Sequence, residues 1–159
     1  MKILGIDPGS ITCGYGLIQK NNLIRGGEIL YITSGKVVAS PKKDLHLRLK
    51  ELYLSLTDLL SELNPDEIAV EKIFYAKGVK AALSLGHARG VVLLAASLTG
   101  KPIFQYSPLE VKKAVVGYGR ADKQQVQRMV REILKIKNKL SPDSADAIAL
   151  ALCHANDRW

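Results

Sequence analysis

Four carboxylates, Asp7, Glu71, Asp143 and Asp146, stand where apolar segments begin or end. Asp7 closes the run Ile3-Leu4-Gly5-Ile6 and Glu71 closes Ile68-Ala69-Val70, while Asp143 and Asp146 punctuate the approach to Ala147-Ile148-Ala149-Leu150. In a small α/β protein the ends of buried segments gather at one edge of the sheet. Two like charges ~4 Å apart repel by roughly 4 kcal/mol at an effective dielectric near 20, so a gathered quartet calls for bound cations or raised pKa values. Carboxylates converging with no His or Cys nearby suit hard, oxygen-loving ions such as Mg²⁺ or Mn²⁺. Two such ions about 3.5–4 Å apart suit phosphodiester hydrolysis, one activating the attacking water and the other stabilising the leaving oxygen.

Each acid also has an ordinary explanation. Asp7 opens Asp-Pro-Gly, a common turn whose side chain bonds nearby amides. Glu71, followed by Lys72, could be a surface residue at a strand end. Asp143 sits in a first helical turn, where the dipole favours an acid. If that helix starts at Asp143 instead, Asp146 completes a capping interaction. Only the metal reading accounts for all four at once, since positions three apart on a helix share a face and Asp143 and Asp146 can both look at the end of the first strand.

The elements that must position these residues follow from periodicity. Lys2 to Asp7, Tyr15 to Gln19 and Ile29 to Val38 read as an antiparallel meander broken by Pro8-Gly9 and Gly26-Gly27. From Pro41 to Leu63 the period becomes helical, with Leu45, Leu49, Leu52, Leu56, Leu59 and Leu63 on one stripe and Asn64-Pro65 as the stop. Glu67 to Glu71 is a short buried strand. Lys77 to Leu98 is a second helix whose second half is apolar all round and is expected to be buried on several sides; its Gly86 and Gly90 allow close approach of another helix, from this chain or a second copy. Pro102 to Tyr106 reads as a strand and Pro108 to Val116 as a short helix. A helix follows from Asp122, which with Gln125 resembles a capping box, and a last one runs from Ser141-Pro142 to about His154. The expected order is βββ-α-β-α-β-α-α-α in one domain, residues 1–159.

Composition narrows the partners. The 159 residues carry a net charge of +8, which points to a polyanion, with nucleic acid ahead of membrane. Residues 1–71 hold 8 Lys/Arg against 9 Asp/Glu and residues 72–159 hold 15 against 6, so the positive excess lies wholly after Glu71. No apolar stretch is expected to approach the ~20 residues of a membrane span, and the early Asp7 argues against a signal peptide. Cys13 and Cys153 show no metal spacing and fit a reduced, cytoplasmic compartment. His87 and His154 read as surface or core residues.

Across essentially its whole length the sequence resembles the RuvC crossover-junction endodeoxyribonucleases. The resemblance rests on Gly5-Ile6-Asp7-Pro8-Gly9-Ser10 with Gly14-Tyr15-Gly16, on Glu71-Lys72-Ile73-Phe74, and on Leu85-Gly86-His87-Ala88-Arg89-Gly90. It extends to Val115-Val116-Gly117-Tyr118-Gly119 with Lys123, and to Asp143-Ser144-Ala145-Asp146-Ala147. It implies a ribonuclease H-like α/β fold, with a five-stranded mixed sheet of three antiparallel strands plus two parallel ones, flanked by helices. It also implies a homodimer that resolves four-way (Holliday) junctions by paired symmetric nicks with Mg²⁺, two ions per site, Mn²⁺ substituting, and leaves 5′-phosphates. Asp7, Glu71, Asp143 and Asp146 fall on the family's catalytic and metal-binding positions. By that analogy Asp7 bridges the ions, Glu71 completes the leaving-group metal, and Asp146 with Asp143 holds the water-activating one. Lys112 and Lys123 match basic positions near the scissile phosphate. Phe74 matches an aromatic that stacks at the junction, with Tyr75 and Lys77 beside it as further DNA contacts. A branch-migration complex of the RuvA and RuvB type is the implied partner.

Three rivals share parts of this pattern. Another ribonuclease H-like nuclease, acting on RNA/DNA hybrid or duplex DNA, would use the same acids. A nucleotide-binding enzyme of the actin and sugar-kinase type has a similar first hairpin but needs two such domains. A non-catalytic DNA-binding module has no use for acids beside phosphate.

Overall fold

The computed structural model describes residues 1–21, 27–72 and 78–157. Its strands are β1 (Lys2–Asp7), β2 (Thr12–Lys20), β3 (Ile29–Val38), β4 (Glu67–Glu71) and β5 (Ile103–Tyr106). Its helices are α1 (Leu45–Leu63), α2 (Val79–Leu98), α3 (Pro108–Val116), α4 (Lys123–Ile133) and α5 (Pro142–Asp157). The sheet runs β3-β2-β1-β4-β5, antiparallel across the first three strands and parallel from β1 through β5. This is the element order and the mixed sheet expected from the sequence.

The strands alternate between two apolar layers. Leu4, Ile6, Ile68 and Val70 pack with Leu52 and Leu56 of α1 and with Ala88 and Val92 of α2. Ile3 and Ala69 face the other way, onto α3, α4 and α5. With a period of two, Asp7 and Glu71 project toward α5, on the face opposite α1 and α2. The parallel pairing of Ile6 with Val70 carries the next residue of each strand, Asp7 and Glu71, to the same end of the sheet.

Helix α5 lies against the sheet through main-chain atoms. A Cβ on Gly5 would sit 1.9 Å from the Ala147 carbonyl oxygen, and one on Gly14 would sit 2.2 Å from that of Asp143. Only glycine admits this approach, and it fixes where α5 rests. Helices α3 and α4 cover its outer side, leaving Ala145 and Ala147 to Ala155 buried.

Some boundaries moved. β2 starts at Thr12 rather than Tyr15 because Thr12 pairs with Val38 at the far end of β3. α1 starts at Leu45 rather than Pro41, and ends where Asn64 turns left-handed (φ 42°) with its N–H bonded to the Leu60 carbonyl. α2 departs furthest from expectation. It is buried on one side only: Val79, Leu83, Leu94 and Leu98 are exposed, and added Cβ atoms on Gly86 and Gly90 would meet nothing within 4 Å. By length and composition this helix is also apolar enough to cross a bilayer, correcting the expectation that no stretch approaches that size. Its valines, leucines and alanines set the mean hydropathy, while Lys80, His87 and Arg89 interrupt the apolar run. A soluble-protein core helix passes the same test, and Ala88, Val92, Ala95 and Ala96 pack here against α1 and the sheet.

Candidate active site

Asp7 ends β1, Glu71 ends β4, and Asp146 lies in the second turn of α5; together with Lys112 of α3 and Lys123 of α4 they line one cleft of about 130 Å³. A water occupies about 30 Å³ of liquid, so the cleft holds a few waters or hydrated ions, well below the ~300 Å³ where small-molecule pockets begin. That size disfavours a nucleotide pocket. A larger open groove between the start of β3 and Lys135–Asn138 lies away from these acids and lacks any such constellation.

Local sequence places each side chain. At the start of α5, Ser141 Oγ accepts the Ser144 N–H at 3.2 Å and the Ser141 carbonyl accepts the Ala145 N–H, so Ser141 is the N-cap. Asp146 therefore has no capping duty, and the alternative start at Asp143 is excluded. The expected capping box of α4 forms: Gln125 N–H donates to Asp122 Oδ1 and Asp122 N–H donates to Gln125 Oε1, both at 2.8 Å. It holds Lys123 at the first helical position, from which Nζ donates to Asp146 Oδ2 at 3.0 Å. A second box, Ser107 with Glu110, starts α3 and sets the helix that carries Lys112.

Electrostatics mark the cleft as strained without cations. Burial first, then the charges of Glu71 and Asp146, push the Asp7 carboxyl up to about 8 despite the opposing pull of Lys123. Glu71 is raised too, by burial and then by Asp146. Lys123 is held above the ordinary lysine value by its hydrogen bond to Asp146 and by that residue's charge. Among the described residues no group of three Asp, Glu, His or Cys side chains stands close enough together to hold a metal ion as placed. The ligand chemistry nevertheless fits a hard divalent ion. Three carboxylates converge, and the raised proton affinity of Asp7 and Glu71, set first by burial and then by neighbouring negative charge, marks charge that an ion would neutralise.

Asp143 stands apart. It packs against Gly14 in the first turn of α5 and does not line the cleft with the other three. Phe74, Tyr75 and Lys77 lie outside the described residues. His87 is exposed, whereas His154 is fully buried, with Nδ1 2.6 Å from the Tyr106 hydroxyl and Nε2 2.6 Å from Glu67 Oε2.

Comparison with known proteins decides the family. The model of the crossover junction endodeoxyribonuclease RuvC matches residues 3–154. The chain belongs to the RuvC family. A RuvC from Geotalea uraniireducens is 44% identical over 156 residues, covering 98% of this chain and 89% of that protein. One from Syntrophomonas wolfei is 46% identical over 155 residues, covering 97% and 88%. Among solved structures, Thermus thermophilus RuvC in complex with a Holliday junction substrate superposes with a TM-score of 0.88 at 34% identity, covering 99% of this chain and 94% of that one. Membership makes the chain a crossover junction endodeoxyribonuclease by family, with the ribonuclease H-like fold expected from its motifs.

One contact at the site has no counterpart in the sequence reading. Arg89 of α2 donates from Nε to the Glu71 carbonyl at 3.2 Å, and from its terminal nitrogen to Gln105 Oε1. The motif containing Arg89 was visible, but a link spanning α2, β4 and β5 has no local signature.

Proposed function

We propose that this protein is a divalent-metal-dependent endonuclease that resolves four-way DNA junctions by paired symmetric nicks. The observation that carries the reading is the convergence of Asp7, Glu71 and Asp146, faced by Lys123, in one small cleft of a RuvC-family chain. The junction bound by the Thermus relative supports the choice of substrate.

In this reading Asp7, Glu71 and Asp146 hold Mg²⁺, or Mn²⁺ in its place, with Asp143 contributing from the edge. The bound ions supply an activated water and charge compensation at the leaving oxygen. Lys112 and Lys123 neutralise the scissile phosphate and fix its position. Phe74, with Tyr75 and Lys77, contacts junction bases and backbone. The basic excess after Glu71 supplies the wider phosphate-binding surface, so binding weakens steeply as salt rises.

The exposed stripe of Val79, Leu83, Gly86, Gly90, Leu94 and Leu98 on α2 suits a second copy of the chain. A two-fold dimer presents two sites to the two equivalent strands of a junction. Such work on chromosomal DNA belongs in the cytoplasm, beside a RuvA and RuvB type branch-migration complex.

The test is cleavage of a synthetic four-way junction with Mg²⁺, beside linear duplex and RNA/DNA hybrid. Paired nicks in the junction alone are expected, and Asp7→Asn should abolish them while leaving junction binding intact. Equal cutting of all three substrates would replace the resolvase with a general ribonuclease H-like nuclease. Full activity of Asp7→Asn in EDTA would remove the metal mechanism.

A further inference from the structure

The position of Glu71 depends on a backbone group that the sheet itself cannot satisfy. Ile68 and Lys72 direct their N–H groups to β5, onto the carbonyls of Pro102 and Tyr106. In a parallel ladder alternate residues face alternate neighbours, so the main chain of Glu71 faces β1. The pairing of Ile6 with Val70 makes residue 8 the next donor due to its carbonyl. Residue 8 is Pro8, which has no N–H. The ladder thus ends one bond short, at the residue that carries a site carboxylate.

Arg89 supplies the missing donor. It reaches from α2, on the sheet face opposite Asp146, to the Glu71 carbonyl at 3.2 Å, and its terminal nitrogen is anchored on Gln105 of β5. The planar fork spans two strands at once, so one side chain ties the end of β4 to β5 and to α2. Ala88, the neighbour of Arg89, is fully buried against the same sheet face and keeps that part of the helix in place.

We infer that Arg89 is a positioning residue: it holds the Glu71 main chain, and through it the Glu71 carboxylate, in register with Asp7 for binding divalent metal. This rests on the nuclease reading above and adds to it a determinant outside the cleft. Arg89 does not line the cleft and bonds the Glu71 main chain and Gln105, so its loss should appear as weakened metal binding with junction binding preserved. Partners that orient ligand groups are typically worth about 10- to 100-fold in metal affinity.

The full-length protein and Arg89→Met are compared in two assays. In DNA-free protein, the Mn²⁺ concentration that half-produces the metal-induced rise in Tm should increase about ten-fold in Arg89→Met. In junction cleavage, half-saturating Mg²⁺ should rise in parallel while junction affinity measured without metal stays within about two-fold. Adding Pro8→Ala to Arg89→Met gives residue 8 an N–H and should recover part of the lost metal affinity, an effect that a merely structural arginine would not produce. Should Arg89→Met fail to fold, Gln105→Leu removes only the second anchor and should shift the same midpoints in the same direction. Unchanged midpoints in the folded variant, absence of any Pro8→Ala recovery, or junction affinity falling in step with cleavage would overturn the assignment. Wild-type protein that neither responds to Mn²⁺ nor cuts junctions would instead overturn the nuclease reading.

Discussion

Lys123 Nζ lies 3.0 Å from Asp146 Oδ2, so in the absence of metal the acidic cleft carries its own cation. The pair is unequal: 76% of the lysine side chain is exposed and only 20% of the aspartate. In the proposed reaction an ammonium on so flexible and exposed a stem is free to leave the carboxylate for a phosphate. Its contribution to stability is correspondingly small, under about 1 kcal/mol for an exposed pair.

Lys123→Ala should therefore lower junction cleavage by roughly 100-fold while changing Tm by no more than a few degrees. Because the lysine value is raised in the fold, the ion pair persists below the ordinary lysine pKa and is lost only as pH rises past it. Single-turnover cleavage and thermal melts at pH 7 and 8 check both statements, and the lysine effect should be the same at the two values.

Asp7→Asn should melt at a higher temperature than the wild-type chain in EDTA. The Asp7 value is raised in the fold, so the neutral carboxyl is favoured there. Ionisation then penalises the folded state progressively as pH rises above the unfolded value of about 4, fully once pH exceeds the folded value. Asparagine mimics the neutral form, so its advantage should be small near pH 4 and should grow toward pH 8. Saturating Mg²⁺ should shrink the difference by stabilising only the wild-type protein.

Gly5→Ala should destabilise the fold and disturb the cleft together. The new methyl would meet the Ala147 carbonyl at 1.9 Å, a main-chain atom that cannot move aside without lifting α5. A loss of about 2–4 kcal/mol is expected from urea unfolding, within the range for overpacked cores. Cleavage should fall further than the fraction folded, because Asp146 rides on the displaced helix.

Cys13 and Cys153 should be silent to thiol reagents in the native state. Both are buried, and burial pushes each thiol up to about 12. At pH 8 a disulfide reagent should label neither within minutes and both at once in urea. Rapid native labelling would show that α5 and the β1–β2 hairpin open locally.

The order of elements was legible because periodicity and turn residues are local properties. Asp122 with Gln125 announced the cap of α4, and Ser141-Pro142 announced the start of α5. The convergence of Asp7, Glu71 and Asp146 could be anticipated once strand ends were assumed to share a sheet edge. Three features were not legible, each for a physical reason. Gly5 and Gly14 stood out only as parts of the RuvC-like motif, because nothing local reveals which backbone will press on a glycine. The second half of α2 read as buried on several sides, yet an apolar side chain carries no label distinguishing intrachain core from an uncovered face. The Arg89 contact joins residues on α2, β4 and β5, and its cause, the missing N–H of Pro8, appears only once the strand register is known.

The main-chain seating of α5 has a further consequence for how this protein can change over time. Where a helix rests on side chains, swapping their sizes lets it slide by small steps, and the groups it carries can be retuned gradually. Here the spacing between Asp146 and Asp7 is hard-wired by Gly5 lying against the Ala147 carbonyl. Mutation is freer on the outward faces of the other helices, which do not set this spacing. The spacing of these two carboxylates has no comparable adjustable dial.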